Sequence, residues 1–376
     1  MPVALKLPTR SLVRAFVVLV TASACSEPEP DFVWRGEHLD IRGHGVQESD
    51  YCGGTFTHVD AYMGEVAALF GFEGPRPVLS IGPSEFVDDH CPAGVTGCAI
   101  DGHATVLETA VPLDHELVHV AQRSAVDCPP LLAEGLAEYS SWNYWDWGVD
   151  PNRIELVVDA WSRGESDYRD YSLLGHFVGF LVEVHGLDRV LVACELSGTS
   201  PSIDQFEAAM QSAFDLPLEQ LLAEYQSDYP RCSARDMSRK LVECGQALDG
   251  ALEVGQTIEL DFDLDCTNAQ TLGPRVVQGE PEQVWVNRRV RLEPWLYPHV
   301  IRLQARSRAT GEPVAAIVSF LPCGRCLDGI EGATIELPEG VSELPLPSLP
   351  AGEYVVEVRQ SLADATPLVL TIESPS

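Results

Sequence analysis

Positive charge is what this sequence has least of: its 376 residues carry 24 Lys and Arg against 57 Asp and Glu, a formal net charge of −33. Such a surface repels phosphate backbones and anionic lipid headgroups, which excludes nucleic acid as a partner. Long hydrophobic runs are missing too. No stretch approaches the ~20 apolar residues that span a bilayer, so a polytopic membrane protein is excluded. No internal repeat occurs, and no low-complexity block beyond Ser26 to Pro30, which sets repeat architectures aside. What remains is ordinary for a folded chain: 45% hydrophobic and 22% charged residues exclude wholesale disorder, collagen and coiled coil. The length predicts two or three domains, with enough chain to bury a sizeable core.

The first residues combine Lys6, Arg10 and Arg14 with a short apolar run, Ala15 to Val20, and small residues directly before Cys25. That pattern predicts an export signal over 1–24. Ala22-Ser23-Ala24-Cys25 resembles a bacterial lipobox, which implies a lipid on Cys25 as the sole membrane attachment; the absence of Asp at 26 implies the outer membrane. A tether is expected over 25–45. Without Cys25, ten cysteines remain, at 52, 91, 98, 128, 194, 232, 244, 266, 323 and 326. An even number in an exported chain predicts disulfides, with connectivity unreadable from sequence. Cys323-Gly-Arg-Cys326 has neither a second ligand pair nor a thioredoxin-like context, so it reads as structural.

Between 46 and 227 the pattern is α+β and mainly helical. Val59, Tyr62, Met63, Val66 and Phe70 fall on one helical face, and strands are expected at Val78 to Ile81 and Ala104 to Glu108. Helices are expected at 111–123 and 130–142, then at 171–185, 187–195, 203–214 and 217–226. A connector over 228–250 leads to 251–376. There, short alternating runs at Thr257 to Phe262, Val284 to Leu292, Val300 to Ala305, Val314 to Leu321, Glu353 to Val358 and Leu368 to Ile372 predict a β-sandwich domain.

The chemistry concentrates in Asp114-His115-Glu116-Leu117-Val118-His119, an HExxH on a predicted helix. Residues four apart share a helix face, so His115 and His119 can reach one metal ion while Glu116 stands beside the water to be activated. A catalytic zinc site needs a third protein ligand. No His follows at the metzincin spacing, but Glu134 and Glu138 stand four apart on the next helix. Two buried carboxylates would repel each other, and a cation resolves that repulsion. On this reading Glu134 binds zinc and Glu138 orients a ligating imidazole, His115 first; the alternative is that both are solvated.

His115-Glu116-Leu117-Val118-His119 followed by Leu132-Ala133-Glu134-Gly135-Leu136-Ala137-Glu138-Tyr139 resembles the gluzincin zinc metallopeptidases, in particular the bacterial peptidase-MA-like lipoprotein group. Tyr171-Ser172-Leu173-Leu174-Gly175-His176-Phe177 is similar to the helix after the active site in that group, and the resemblance spans about residues 50 to 226. It implies zinc on His115, His119 and Glu134, Glu116 as general base and Tyr171 as an oxyanion donor. A core role for Tyr171 competes with that, and His176 and Tyr139 stand in reserve as donors. The Gly-x-Met-Glu-Asn motif of gluzincin aminopeptidases is absent, which favours an endopeptidase.

The expected function is therefore a lipid-anchored, zinc-dependent peptidase of the cell envelope acting on peptide or protein substrates. The alternative is an inactive metallopeptidase-fold lipoprotein serving as a binding or assembly module.

Overall fold

Strands of only four or five residues cannot stand alone, and in the computed structural model the first five of them pair with one another in a single sheet. The structure describes residues 29–92, 95–100, 104–108, 114–141, 149–165, 167–228, 240–275, 282–293, 301–324, 332–340, 344–346 and 349–374. Strands β1 (Phe32–Arg35), β2 (Asp40–Gly43), β3 (Val78–Gly82), β4 (Gly97–Ile100) and β5 (Ala104–Glu108) form one sheet in the order β1-β2-β3-β5-β4. The β2–β3 and β3–β5 pairs are parallel, whereas β1–β2 and β4–β5 are antiparallel. A parallel pair needs a crossover, and helix α1 (Thr55–Phe70) supplies it between β2 and β3. Its predicted apolar face is the buried one, and Gly71 closes it in the left-handed conformation at φ 65°. Helix α2 (Ser84–His90) follows β3.

The expected tether over 25–45 requires correction, because β1 and β2 lie within it. Leu39 and Ile41 are fully buried, and the Asp60 carboxylate of α1 accepts the backbone N–H groups of Glu37, His38 and Leu39 at 3.0, 2.8 and 2.9 Å. Pairing with β3 and a cap from α1 order a segment whose own sequence has no clear periodicity.

The helices that follow are α3 (Asp114–Ala125), α4 (Pro130–Ser140), α5 (Ile154–Ser162), α6 (Tyr171–Phe180), α7 (Leu187–Ser197), α8 (Ile203–Phe214), α9 (Leu218–Asp228) and α10 (Lys240–Glu243). Helix α4 opens with Pro130 at its first position, where a missing N–H costs nothing. Helix α6 runs on into a wider, π-type turn over Leu181–His185. Helices α4 and α6 cross closely because glycines face the contact. A Cβ on Gly135 would lie 2.3 Å from Val178 Cγ2, and one on Gly175 would lie 2.5 Å from the Glu138 Cβ. Among the described residues no helix is long and apolar enough to cross a membrane.

The remaining strands are β6 (Gly250–Leu252), β7 (Thr257–Phe262), β8 (Leu272–Arg275), β9 (Gln283–Leu292), β10 (Ile301–Ser307), β11 (Ala316–Pro322), β12 (Ala333–Leu337), β13 (Leu344–Leu346), β14 (Gly352–Ser361) and β15 (Leu368–Glu373). One sheet runs β13-β10-β15-β7, and the other runs β12-β11-β14-β9-β6 with β8 also on β9. Alternate residues of both sheets, among them Phe262, Leu303 and Leu370 from the first and Val286, Phe320 and Val356 from the second, share one buried cluster. The chain as a whole is thus mixed α and β.

The two regions are joined covalently and by packing. Disulfides Cys52–Cys266 and Cys244–Cys323 run between them or into the β region, while Cys91–Cys98 and Cys128–Cys194 staple the helical region. The Thr55 hydroxyl at the start of α1 donates to the Gly273 carbonyl at 2.9 Å and accepts from its N–H at 3.0 Å. Leu272 and Trp285 of the β region belong to the helical core. Cys323 pairs with Cys244, so the CxxC pattern is not a redox pair; Cys25, Cys232 and Cys326 lie outside the described residues. The four disulfides among the described residues are those of an oxidising, exported environment.

Candidate metal centre

Helix α3 sets two imidazoles one turn apart on the face turned toward α4. The His115 and His119 ring centroids are 4.9 Å apart and their planes stand at 77°, so both Nε2 atoms aim at one point. From α4, one turn into the helix, Glu134 closes the set. His115 Nε2 lies 3.1 Å and His119 Nε2 3.3 Å from Glu134 Oε2, and the two Nε2 atoms are 3.2 Å apart. No other His, Cys, Asp or Glu group among the described residues gathers three donors in this way.

Those three distances are the fit test for a metal. A tetrahedral zinc with bonds of ~2.0–2.1 Å separates its donors by about 3.3–3.4 Å, close to every edge of the observed triangle. A single proton bridges only two of three acceptors, whereas a cation serves all three. The side chain of His119 is 5% exposed, but those of His115 and Glu134 keep 21% and 20%, which leaves one side of the triangle open to solvent. The residues present therefore fit a metal ion held by three donors with one side left open.

The surroundings hold this arrangement in place. Glu138 Oε1 lies 3.2 Å from His115 Nδ1, an ion-pair distance, on the side of the ring away from the triangle. Glu138 is itself pressed against the backbone of α6 at Gly175, so the absent side chain at 175 is what lets the carboxylate stand there. Tyr62 of α1 donates its hydroxyl to the Ser140 carbonyl at 2.7 Å and anchors the end of α4. Cys128, in the turn between α3 and α4, is bonded to Cys194 of α7.

Charge is concentrated here. Burial lowers an imidazole pKa, yet Glu134 and Glu138, helped by Glu116, outweigh it and hold His115 well above its usual value. Burial likewise raises a carboxyl pKa, and contacts from His115 and His119 overcome it, holding Glu134 well below the carboxylate range. Burial first, then Glu134, Glu116 and Glu138, push the Tyr171 phenol upward, so it remains a proton donor at neutral pH.

Sequence reasoning singled out more residues than the structure brings together. His115, His119, Glu134, Glu138 and Tyr171 converge, the Tyr171 ring stacking on His115 with centroids 5.9 Å apart and planes within 5°. Glu116 is half-buried on α3, and its charge acts on both His115 and Tyr171. His176 is elsewhere: it is 1% exposed and its Nδ1 lies 2.7 Å from the Tyr225 hydroxyl of α9, a packed residue rather than a reserve donor. Tyr139 is half-buried against the helical core. Tyr62 and Asp114 were not anticipated; their only sequence signal is polarity within buried helical faces. No protein-family model matches this chain, and neither does any curated protein.

Proposed function

We propose that this chain is an exported zinc peptidase of gluzincin type, with an endopeptidase activity on peptide or protein substrates. The observation that carries the reading is the triangle of His115, His119 and Glu134 with edges of 3.1 to 3.3 Å, open on one side, beside Glu116 and Tyr171. Its β region is read as a β-sandwich domain, supported by two sheets sharing one core. Cys25 is read as a lipid anchor that keeps the protein at the cell envelope, in the outer membrane; Cys25→Ser should release the protein from membranes.

When bound, zinc supplies Lewis acidity toward water and toward the scissile carbonyl oxygen. His115, His119 and Glu134 would hold it. Glu116 takes the proton from the attacking water and later returns it to the leaving amine nitrogen, so one carboxylate serves as base and then acid. The Tyr171 hydroxyl, kept protonated by its surroundings, donates to the oxyanion that develops on the carbonyl. Glu138 holds the His115 ring in the orientation that leaves Nε2 free for the metal.

Elemental analysis and hydrolysis of an unfolded protein substrate test the reading together. Wild-type protein should carry one zinc, Glu134→Ala should lose most of it, and Glu116→Gln should keep the metal while hydrolysis falls by orders of magnitude. Full zinc retention in Glu134→Ala would move the third ligand elsewhere, and equal hydrolysis by Glu116→Gln would sink the mechanism. Zinc bound by a wild type as inert as Glu116→Gln would make the chain a binding or assembly module.

A further inference from the structure

The Tyr171 ring touches two others. His115 of α3 stacks on it with centroids 5.9 Å apart and planes within 5°, and Trp161 of α5 meets it with centroids 5.8 Å apart and planes at 55°. Trp161 is 8% exposed and shares the buried face of α5 with Ile154, Val157 and Val158. Residues at these spacings lie on one side of a helix, so the rest of that face fastens Trp161 to the helical core. Its indole N–H is buried and has no partner among the described residues. An apolar side chain would fill the same space without that penalty, so the ring itself is what the position uses.

A second tie joins α5 and α6 at the start of α5. Asp170 directly precedes Tyr171, and its buried carboxylate accepts a hydrogen bond from Arg153 Nη2 at 3.1 Å. Arg153 directly precedes Ile154, the first residue of α5. The first turn of a helix lacks intrahelical partners for its N–H groups, and Asp is among the residues that best supply one from the cap position. Asp170 occupies that position ahead of α6, yet its side chain makes no cap hydrogen bond. The carboxylate is turned to α5 instead, which fixes the start of α6 against a neighbour rather than closing the turn on itself.

We propose that α5 is a brace for Tyr171: Trp161 holds the phenol ring against His115, and the Arg153–Asp170 pair holds the backbone from which that ring projects, so that all three are positioning residues for the oxyanion donor. The inference rests on the peptidase reading for its effect on rate and not for its effect on the ring. Tyr171 opens α6, and a first turn without a side-chain cap is where a helix frays. A ring on such a turn keeps one orientation only if groups outside the helix fix it, and an aromatic neighbour and a charge-assisted hydrogen bond do so here. A donor displaced by about 1 Å can lose on the order of 10²-fold in rate, so the orientation matters to catalysis.

The test uses the full, disulfide-bonded protein with Arg153→Gln and Trp161→Leu, each made in the wild type, in Tyr171→Leu and in Tyr171→Phe. Arg163→Gln is the control, because Arg163 is about as exposed as Arg153 but pairs with Asp159 and Glu165 instead of α6. In metal-free protein the stacked ring shifts the imidazole proton signals of His115, and Tyr171→Leu gives the full displacement expected when that ring is lost. Both variants should move the signals toward that limit, Arg163→Gln should leave them in place, and neither variant should move them further once Tyr171 is replaced by Leu. In hydrolysis, kcat should fall about tenfold in each variant with KM within about twofold, and neither should lower kcat further in Tyr171→Phe. His115 signals unmoved by either variant, or moved as far in Tyr171→Leu, overturn the proposal. So does an unchanged kcat, or an equal fall in Tyr171→Phe, where the wild type hydrolyses and Tyr171→Phe is slow. Where Trp161→Leu does not fold, Arg153→Gln decides by the same criteria. Signals that move as expected in a wild type without hydrolysis, or in one that Tyr171→Phe leaves at full rate, uphold the brace and remove the peptidase or the donor reading instead.

Discussion

Gly135→Ala probes the helix crossing that delivers the third donor. A Cβ at 135 would stand 2.3 Å from Val178 Cγ2 and 3.0 Å from the Leu174 carbonyl oxygen, whereas carbon atoms settle at about 3.5–4.0 Å. Helices α4 and α6 must then part by roughly 1 Å. Overpacking of this kind costs about 1–3 kcal/mol, and Ala in place of Gly within a helix returns about 1 kcal/mol, leaving a net loss on the order of 1 kcal/mol. Val178→Ala removes the nearest obstructing atom. The double variant should therefore be less destabilised than the sum of the singles, by on the order of 1 kcal/mol. Urea denaturation of the metal-free, disulfide-bonded protein, followed by far-ultraviolet ellipticity, measures all four corners of the cycle. Glu134 immediately precedes Gly135, so zinc affinity should fall in Gly135→Ala and recover in part in the double variant. A gain of about 1 kcal/mol in Gly135→Ala, which is helix propensity acting alone, or strict additivity with Val178→Ala, would refute the close crossing.

Tyr171→Phe should lower kcat on the order of 10²-fold with zinc content unchanged; a loss of stability at constant rate per folded molecule would return Tyr171 to the core. His58 and Glu243, whose Nδ1 and Oε1 lie 3.3 Å apart, make stability pH-dependent. The His58 pKa is raised above 6.5, so its contribution is complete below that value and fades as pH rises through the folded pKa; that of Glu243 is lowered below 4.5, so its contribution is complete above that value and fades as pH falls. His58→Gln should therefore cost about 1–3 kcal/mol near pH 6 and clearly less at pH 9 in parallel denaturation series, and a pH-independent difference would contradict the pairing. Replacing both Cys128 and Cys194 by Ser opens a link with a separation of 66 residues and should cost about 4 kcal/mol on loop-closure grounds; denaturation midpoints check this, and an unchanged midpoint would show the staple to be idle.

The parts of this structure that depend on neighbours in sequence were legible in the sequence. Spacing alone put His115 and His119 on one helix face and Glu134 and Glu138 on another, and alternation placed β7 over Thr257–Phe262 residue for residue. Helix α5 was missed because its start depends on a turn, in which the Asp150 carboxylate accepts the Asn152 N–H ahead of Ile154. The strands β12 and β13, of five and three residues, have too few alternations to register. What long-range packing decides stayed hidden. His176 turns to Tyr225, 49 residues away, and nothing near either residue announces it. Tyr171 could be either core or donor from sequence, and the stacking on His115 is what brings it to the triangle.

The disulfide between Cys52 and Cys266 closes over a separation of 214 residues, whereas Cys91–Cys98 and Cys128–Cys194 close over 7 and 66. A chain translocated from its amino end presents Cys52 first of the cysteines paired among the described residues, and its thiol must then wait while five of the other seven emerge ahead of its own partner. During that interval every one of them is a competitor for thiolate attack. The Cys52 turn is completed only by the late segment, since the N–H groups of Cys52 and Gly53 donate to the carbonyls of Gly273 and Cys266 at 2.7 and 2.8 Å. Pairing of Cys52 with Cys266 is therefore the step most open to early mismatching, and the one an isomerase would serve most.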